Sequence, residues 1–399
     1  MARTIRPPCM AAKKKPMLRA MTQRERIVVA LSGGVDSATC AGLLVEAGHE
    51  VVGISMRLYN AKGTASTSGG RCCGPRDLED ARVVCAHLGI PFFVANYEDE
   101  FRRTVIDNFV ATYQRGETPN PCVRCNEQVK FLPLLHRARA LGATALATGH
   151  YAQLDGQPGQ RRLRRGVDAR KDQSYFLFGM PRSALDFVQF PLGGMTKDEV
   201  RAHARRLLLP VSEKPESQEI CFVPDGDYAG FVQRQGAATT SGGDLVDESG
   251  RVLGRHDGVH HYTIGQRRGI GIGLGSPQYV VAIDALTRRV RIGPKQSLYS
   301  TRARVADVRW LGESPGEIVR CGVQIRYRRA AQLATLQRTS ESTVEVQFDE
   351  PELAVTPGQA AVFYDGDRVL GGGFIAEAGN PQPSVSASAE PSHVGLSAI

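Results

Sequence analysis

Residues 26–31 (RIVVAL) form a short apolar run, followed at once by SGGVDS and then by apolar positions at helical spacing. That order predicts a strand, a loop and a helix. Cys40, Leu43, Leu44 and Ala47 fall at i, i+3, i+4 and i+7 and are expected to form the buried stripe of this helix, which Gly48 ends. Residues 50–56 (EVVGISM) read as a second buried strand. Residues 77–88 read as a second helix with Leu78, Ala81, Val84, Cys85 and Leu88 facing inward. The alternation continues with a strand at 91–95, a helix at 98–114, a Pro-rich loop at 116–125, a helical stretch at 126–141 and a strand at 144–148. Pro133 predicts either a kink in that stretch or the start of a second short helix. Strands alternating with helices predict a parallel sheet covered on both faces.

After about residue 225 the texture changes. Glycine punctuation and short β-branched runs (YVVAIDA, RRVRIG, STVEVQF, AAVFYDG, RVLGGGFI) predict small all-β modules. Residues 378–399 are rich in Ser, Pro and Ala and are expected to be disordered. No internal repeat is apparent. A length of 399 residues gives a prior of two or three domains. No stretch approaches the roughly 18 apolar residues of a membrane span, so no membrane association is expected.

The net charge of +9 is unevenly distributed. Residues 1–24 carry seven Lys and Arg and no acid, and 255–330 carry fourteen basic against five acidic side chains, leaving a net −7 elsewhere. The first segment resembles a transit peptide only weakly, because Pro7, Pro8 and Pro16 break any amphipathic helix, and it reads as a disordered extension. The second is either a solvated basic surface or a surface for a polyanion. Nine cysteines without a secretory leader argue for a reducing, cytoplasmic setting in which thiols serve packing, metal binding or chemistry.

Ser32-Gly33-Gly34-Val35-Asp36-Ser37 stands where a strand feeds a helix N-terminus, the place where free N–H groups and the helix dipole favour a phosphate. Glycines let the backbone approach an anion, Ser32 and Ser37 supply hydroxyls, and Asp36 is a candidate Mg²⁺ ligand. No Lys follows the glycines, so this is not a Walker loop. It resembles the pyrophosphate loop of the ATP pyrophosphatase superfamily, which cleaves ATP between its α and β phosphates. In 118–126 (TPNPCVRCN) the CxxC has no second CxxC to complete a four-thiolate zinc site. Cys125 directly precedes a helical stretch, where a thiol pKa is lowered. The plain alternative is a pair of structural thiols.

SGGVDS, TPNPC..CN, TGH (148–150), KDQSYFL (171–177), SQEICFV (217–223) and IRYR (325–328), in that order, resemble the tRNA-specific 2-thiouridylase family over about 26–376. The resemblance implies an α/β, doubly wound parallel-sheet adenine-nucleotide hydrolase-like catalytic domain (25–224). It also implies a small central β-rich domain (225–283) and a C-terminal β-barrel (284–377). It implies ATP bound by Ala30, Leu31, Ser32, Gly33, Gly34, Val35, Asp36, Ser37, Met56 and Gly149, with Mg²⁺ at Asp36. The O2 of a wobble uridine would be adenylated. Cys221 would then carry the incoming sulfur as a persulfide, and Cys125, the nucleophile, would resolve it into a Cys125–Cys221 disulfide that a reductant must reset.

The implied partners are wobble-uridine tRNAs for Lys, Glu and Gln, and a sulfur-relay protein or cysteine desulfurase. The implied tRNA contacts are Asn120, Pro121, Cys122, His150, Lys171, Asp172, Gln173, Arg326, Tyr327 and Gln359, with Arg161, Arg162, Arg164 and Arg165 as a second basic run. Where some branches of the family carry an acid/base Asp, this chain has Cys122. Cys122, Cys125 and Cys221 therefore also offer a three-ligand iron–sulfur cluster as the alternative to the relay. Cys40 and Cys85 read as core residues and Cys9 and Cys321 as incidental. No role is assigned to Cys72 and Cys73, and His260 and His261 read as β-module residues. Two rival functions are an amidoligase, indifferent to Cys221→Ser, and a non-catalytic RNA-binding protein, indifferent to Asp36→Ala.

Overall fold

The computed structural model describes residues 24–59, 74–216, 220–236, 242–273 and 275–379. The expectations for 1–23, Cys72, Cys73 and the chain beyond 379 lie outside the described residues. The chain opens with β1 (Arg26–Ala30), α1 (Val35–Glu46), β2 (Glu50–Arg57), α2 (Pro75–Leu88) and β3 (Phe92–Asn96). Helix α3 follows as three contiguous pieces, Glu98–Phe101, a π-helical Arg102–Ile106 and Asp107–Gln114. Helix α4 is built the same way from Pro121–Arg124, a π-helical Cys125–Lys130 and Phe131–Ala140, and leads into β4 (Ala145–Thr148). The hairpin β5 (Ala152–Asp155) and β6 (Arg162–Arg165) leaves the sheet, which β7 (Val188–Gln189) rejoins.

The strand order is β3-β2-β1-β4-β7, with every pairing parallel. β1 is central, and its unbroken apolar run has a direct cause: Val28 enters the core cluster under α3 and α4, while Ile27 and Val29 enter the one under α1 and α2. Edge strand β3 departs from the expectation of full cover, since Phe93 is 50% and Val94 44% exposed. In α1, Cys40 and Leu44 are buried, but Ala47 is the exposed C-cap because Gly48, at φ +86°, already turns the chain away. Pro133 neither starts a new helix nor breaks this one. The wider π turn just before it absorbs the missing backbone donor, and the expected loop ends at Asn120 rather than 125.

Helices α5 (Lys197–Arg206) and α6 (Tyr228–Arg234) precede β8 (Gly243–Val246), β9 (Val252–His256), β10 (Tyr279–Asp284) and β11 (Arg289–Gly293). These four strands form one sheet in the order β10-β11-β8-β9. The β10–β11 hairpin spans the border expected at 283/284, and Val280, Val290 and Ile292 share one small core with Leu245. The central unit therefore runs on through β11. Six longer strands follow: β12 (Tyr299–Trp310), β13 (Ile318–Gln324), β14 (Gln332–Arg338), β15 (Val344–Leu353), β16 (Ala360–Asp365) and β17 (Arg368–Gly379). β12 pairs with both β15 and β17, which closes the barrel and removes its edges. Ala378 and Gly379, expected in the tail, belong to β17. β6 pairs with β17, so the barrel is joined to the α/β unit by backbone as well as side chains.

Candidate functional site

The chain winds outward from β1 to β3 and returns at β4 on the other side of β1, so a crevice opens between the carboxyl ends of β1 and β4. Ser32–Ser37 follows one strand and Gly149–His150 the other. The Ser32 N–H donates to Ser37 Oγ at 3.1 Å, the two hydroxyls lie 3.2 Å apart, and Ser37 Oγ donates to Gly34 O at 3.2 Å. No side chain caps α1, which leaves its first N–H groups for an anion. Two glycines are required by contact. A Cβ on Gly33, whose φ is +72°, would stand 2.2 Å from Asp77 O, and one on Gly149 would stand 2.7 Å from Ser37 N. Leu31 and Met56 are buried, and Leu31 O accepts the Ser55 hydroxyl at 2.8 Å.

Asp36 does not stand alone. Its Oδ1 accepts the Tyr151 hydroxyl at 2.8 Å and Lys197 Nζ at 2.6 Å, and Lys197, 7% exposed, also meets Glu216 at 2.9 Å. Glu216 takes Lys171 at 2.5 Å on its other oxygen. Burial works against the Glu216 charge, but the hydrogen bonds from Lys171 and Lys197 outweigh it and hold the carboxyl down at about 2. Below the loop, Lys214 donates to Gly33 O at 3.0 Å, Asp77 at 2.7 Å and Asp80 at 2.5 Å. Lys197, Tyr151, Lys214 and Glu216 were not singled out from the sequence. The one available signal was the capping box Thr196-x-x-Glu199, which marks a helix start and says nothing of a buried ammonium.

Cys122 and Cys125 lie inside α4, not before it. Asn120 is its N-cap, accepting the Val123 N–H at 3.4 Å, and Pro121 occupies the first turn. Cys122 is exposed, Cys125 buried and Cys221 half-buried. Cys125 belongs to a core cluster against which Cys221 packs. The neighbour Phe222 anchors that segment, its ring 5.6 Å from Phe101, 5.1 Å from Phe109 and 5.2 Å from Phe231. Among the described residues no three His, Cys, Asp or Glu are grouped as ligands, so the three-thiol cluster finds no geometry there. A bulge in β12 turns Asp307 (φ +52°) and Arg309 toward α4, where they pair with Arg124 at 3.0 Å and buried Glu127 at 2.6 Å.

Several residues expected at the tRNA surface are engaged within the protein. Asp172 is buried, accepting Arg165, the Gly166 and Ser174 N–H groups and the Ser174 hydroxyl. The Gln359 amide donates to Thr118 O and Pro119 O at 3.1 Å each, tying the barrel to the TPNP segment. Arg326 donates to Ala354 O and Thr356 Oγ1 at 3.2 Å. Arg161, Arg162, Arg164 and Arg165 all face carboxylates, so this run is internally neutralised. Gln173 accepts the Tyr151 N–H, and Lys171 is held by Glu216. Tyr327 is half-buried with its ring 4.5 Å from Phe176, an aromatic pair of the kind on which a base can stack.

His150 shares a hydrogen bond with Thr148 Oγ1 at 2.9 Å between the rings of Phe131 and Phe190. Burial, with the Lys130 charge adding to it, pushes the imidazole down to about 3. It is neutral at physiological pH. An unfolded histidine titrates near 6.5, so between about pH 6.5 and 3 the unfolded chain binds a proton that folded His150 refuses. Stability therefore falls as pH drops through that window and is unaffected above it. In urea unfolding at pH 7 and pH 5, His150→Asn is expected to lose less stability on acidification than the wild type, by about 1–2 kcal/mol. Equal losses in the two proteins would mean that His150 titrates normally.

Residues 25–225 match the model of the tRNA methyl transferase HUP domain, 230–294 that of the tRNA methyl transferase PRC-barrel domain and 300–375 that of the aminomethyltransferase beta-barrel domain. Over 356 residues the chain is 52% identical to the tRNA-specific 2-thiouridylase MnmA of Geobacter metallireducens, which covers 88% of this chain and 97% of that protein. It is 48% identical over 368 residues to the protein of that name from Geotalea uraniireducens, covering 91% and 98%. The counterpart in Methylobacterium radiotolerans is 49% identical over 358 residues, covering 88% and 93%. No helix among the described residues is long and apolar enough to cross a membrane.

Proposed function

The chain belongs to the tRNA-specific 2-thiouridylase family, and from that premise we propose how its residues divide the work of an ATP-dependent 2-thiolation of the wobble uridine of tRNA. The observation that carries the reading is the pairing of a pyrophosphate-type loop at the β1/β4 crevice with two cysteines, Cys125 and Cys221, on one buried cluster. ATP is the co-substrate. The α1 N-terminus and the Ser32 and Ser37 hydroxyls bind its phosphates, and Gly149 lets the end of β4 lie close beside them. Mg²⁺ bound with ATP supplies charge neutralisation at the phosphates. Asp36 is the loop carboxylate available to it, sharing its load with Lys197 and Tyr151.

Uracil O2 attacks the α-phosphorus and pyrophosphate leaves, so C2 becomes an electrophile carrying AMP as leaving group. The terminal sulfur of a Cys221 persulfide adds to C2 and AMP departs. The Cys125 thiolate then attacks the Cys221 sulfur, the original S–S bond breaks, and the sulfur remains on the base. The product disulfide takes two electrons from a dithiol reductant before the next turnover. The helix start at Asn120 places Cys122 in the first turn of α4 and Cys125 one turn deeper. The tRNAs for Lys, Glu and Gln are the expected substrates, with a protein persulfide as sulfur donor. Tyr327 and Phe176 are the aromatic pair offered to the base, and Phe176 adjoins Tyr175, whose hydroxyl the Asn120 side chain reaches.

The test is stoichiometric. Anaerobically purified protein given unmodified tRNA, ATP, Mg²⁺ and a persulfidated donor protein is expected to yield one AMP and one pyrophosphate per 2-thiouridine, read by nucleoside mass spectrometry. The protein should be colourless. Activity confined to brown, iron-containing protein using free sulfide would overturn the relay, and AMP formation on a carboxylate substrate would reinstate the amidoligase.

A further inference from the structure

We propose that the glycine-rich residues 267–273 and 275–278 of the central unit cradle the sugar–phosphate backbone of the bound tRNA, an assignment that rests on the tRNA reading above. An open concavity of about 610 Å³ lies over this segment and the end of β11. Its lining includes Arg267, Ser276 and Gln278 and no carboxylate. Arg267 and the adjacent Arg268 are exposed and make no ion pair with any described residue. They contrast with the 161–165 run, whose guanidiniums are neutralised inside the protein.

The glycines point the same way. At Gly271, Gly273 and Gly275 an added Cβ would meet no atom within 4 Å, so packing does not demand glycine there. Backbone conformation demands it at Gly271 (φ +80°) and Gly275 (φ +71°) but not at Gly273, whose φ lies outside the left-handed range. A backbone with none of the described residues against it suits the close approach of an anionic ligand to peptide N–H groups, while the arginines supply the charge.

The root of the segment is held by hydrogen bonds, one of them from the barrel. Gly265 N–H donates to Val280 O at 2.8 Å, Val280 N–H to Gln266 O at 2.9 Å, and the Gln266 amide to Arg268 O at 3.0 Å. Arg326 reaches from the barrel to Ile264 O at 3.5 Å, and the next residue is Tyr327, whose ring lies 4.5 Å from that of Phe176 at a tilt of 44°. Arg326 is therefore a positioning residue for this segment. Arg326 thereby links the segment that carries Arg267 and Arg268 to the loop that carries Tyr327.

The test is tRNA binding across a salt series. The R267A/R268A protein is expected to bind unmodified tRNA about tenfold more weakly at roughly 0.1 M salt, with the slope of log K against log salt reduced by about 1.5. Its kcat at saturating tRNA should match the wild type, and R267K/R268K should recover the slope. Gly273→Ala is expected to weaken tRNA binding at unchanged melting temperature, because its methyl group meets only the ligand. Unchanged affinity and slope in these variants overturns the proposal. So does unchanged tRNA binding with a raised KM for the persulfide donor, which would make the segment a protein-docking surface. Wild-type protein that binds no tRNA would remove the underlying reading before any substitution is made, and this assignment with it.

Discussion

Serine in place of Cys221 is expected to abolish 2-thiouridine formation, by roughly 10³-fold or more, while tRNA binding and ATP-dependent adenylation survive. Cys125→Ser has the same outcome at a different stage. On the proposed relay, no persulfide should form without Cys221, whereas without Cys125 the persulfide should form but not be resolved, so labelled sulfur is expected to accumulate on the protein. The stages separate because neither thiol belongs to the phosphate loop: Cys221 packs at the rim of the cluster that buries Cys125, and the loop lies at the ends of β1 and β4. Single-turnover assays without reductant, followed by mass spectrometry, should find a Cys125–Cys221 disulfide only in the wild type. Thiolation persisting in either variant would sink the two-cysteine scheme.

Lys197→Met is expected to lower kcat/KM for ATP by about 10²-fold or more, with tRNA binding intact. The ammonium is 7% exposed and lies 2.6 Å from Asp36 and 2.9 Å from Glu216. Its removal leaves two carboxylates facing each other beside the loop that must accept a polyphosphate. Uncompensated negative charge there opposes both folding of the crevice and binding of ATP. Lys197→Arg should rescue little, because a planar fork does not fit a site built around a compact point charge. Comparing KM for ATP with kcat separates this role from general destabilisation, which a melting curve detects directly. ATP kinetics within threefold of the wild type would show that Asp36 needs no counter-charge.

These two predictions draw on different kinds of legibility. The cysteines stood in recognisable strings, TPNPCVRCN and SQEICFV, and the phosphate loop in another, because an anion cradle needs glycines and hydroxyls at fixed spacing within a single turn. Lys197 stood in no such string. Its chemistry comes from contact with Asp36, 161 residues away, and with Glu216, and no local pattern encodes such a pairing. The tRNA-facing residues divide the same way. Asp172 and Arg326 belong to the motifs and Gln359 to the contacts the resemblance implies, yet their side chains hold the protein together, whereas Arg267 and Arg268 lie outside those motifs and remain exposed.

The alternation of apolar runs and amphipathic helices by itself determined the parallel sheet, the strand–loop–helix at SGGVDS and the all-β texture after 225, because periodicity and turn chemistry act over only a few residues. Helix α4 marks the limit, since Pro133 reads as an interruption until the π turn at Cys125–Lys130 is seen to absorb it. Only the tertiary structure decided that β10 and β11 complete the central sheet, that β12 closes the barrel on β17, and which charges are spent on partners. The physical reason is that a side chain's electrostatic role depends on what stands within a few ångströms of it, and in this protein those neighbours come from segments more than a hundred residues apart.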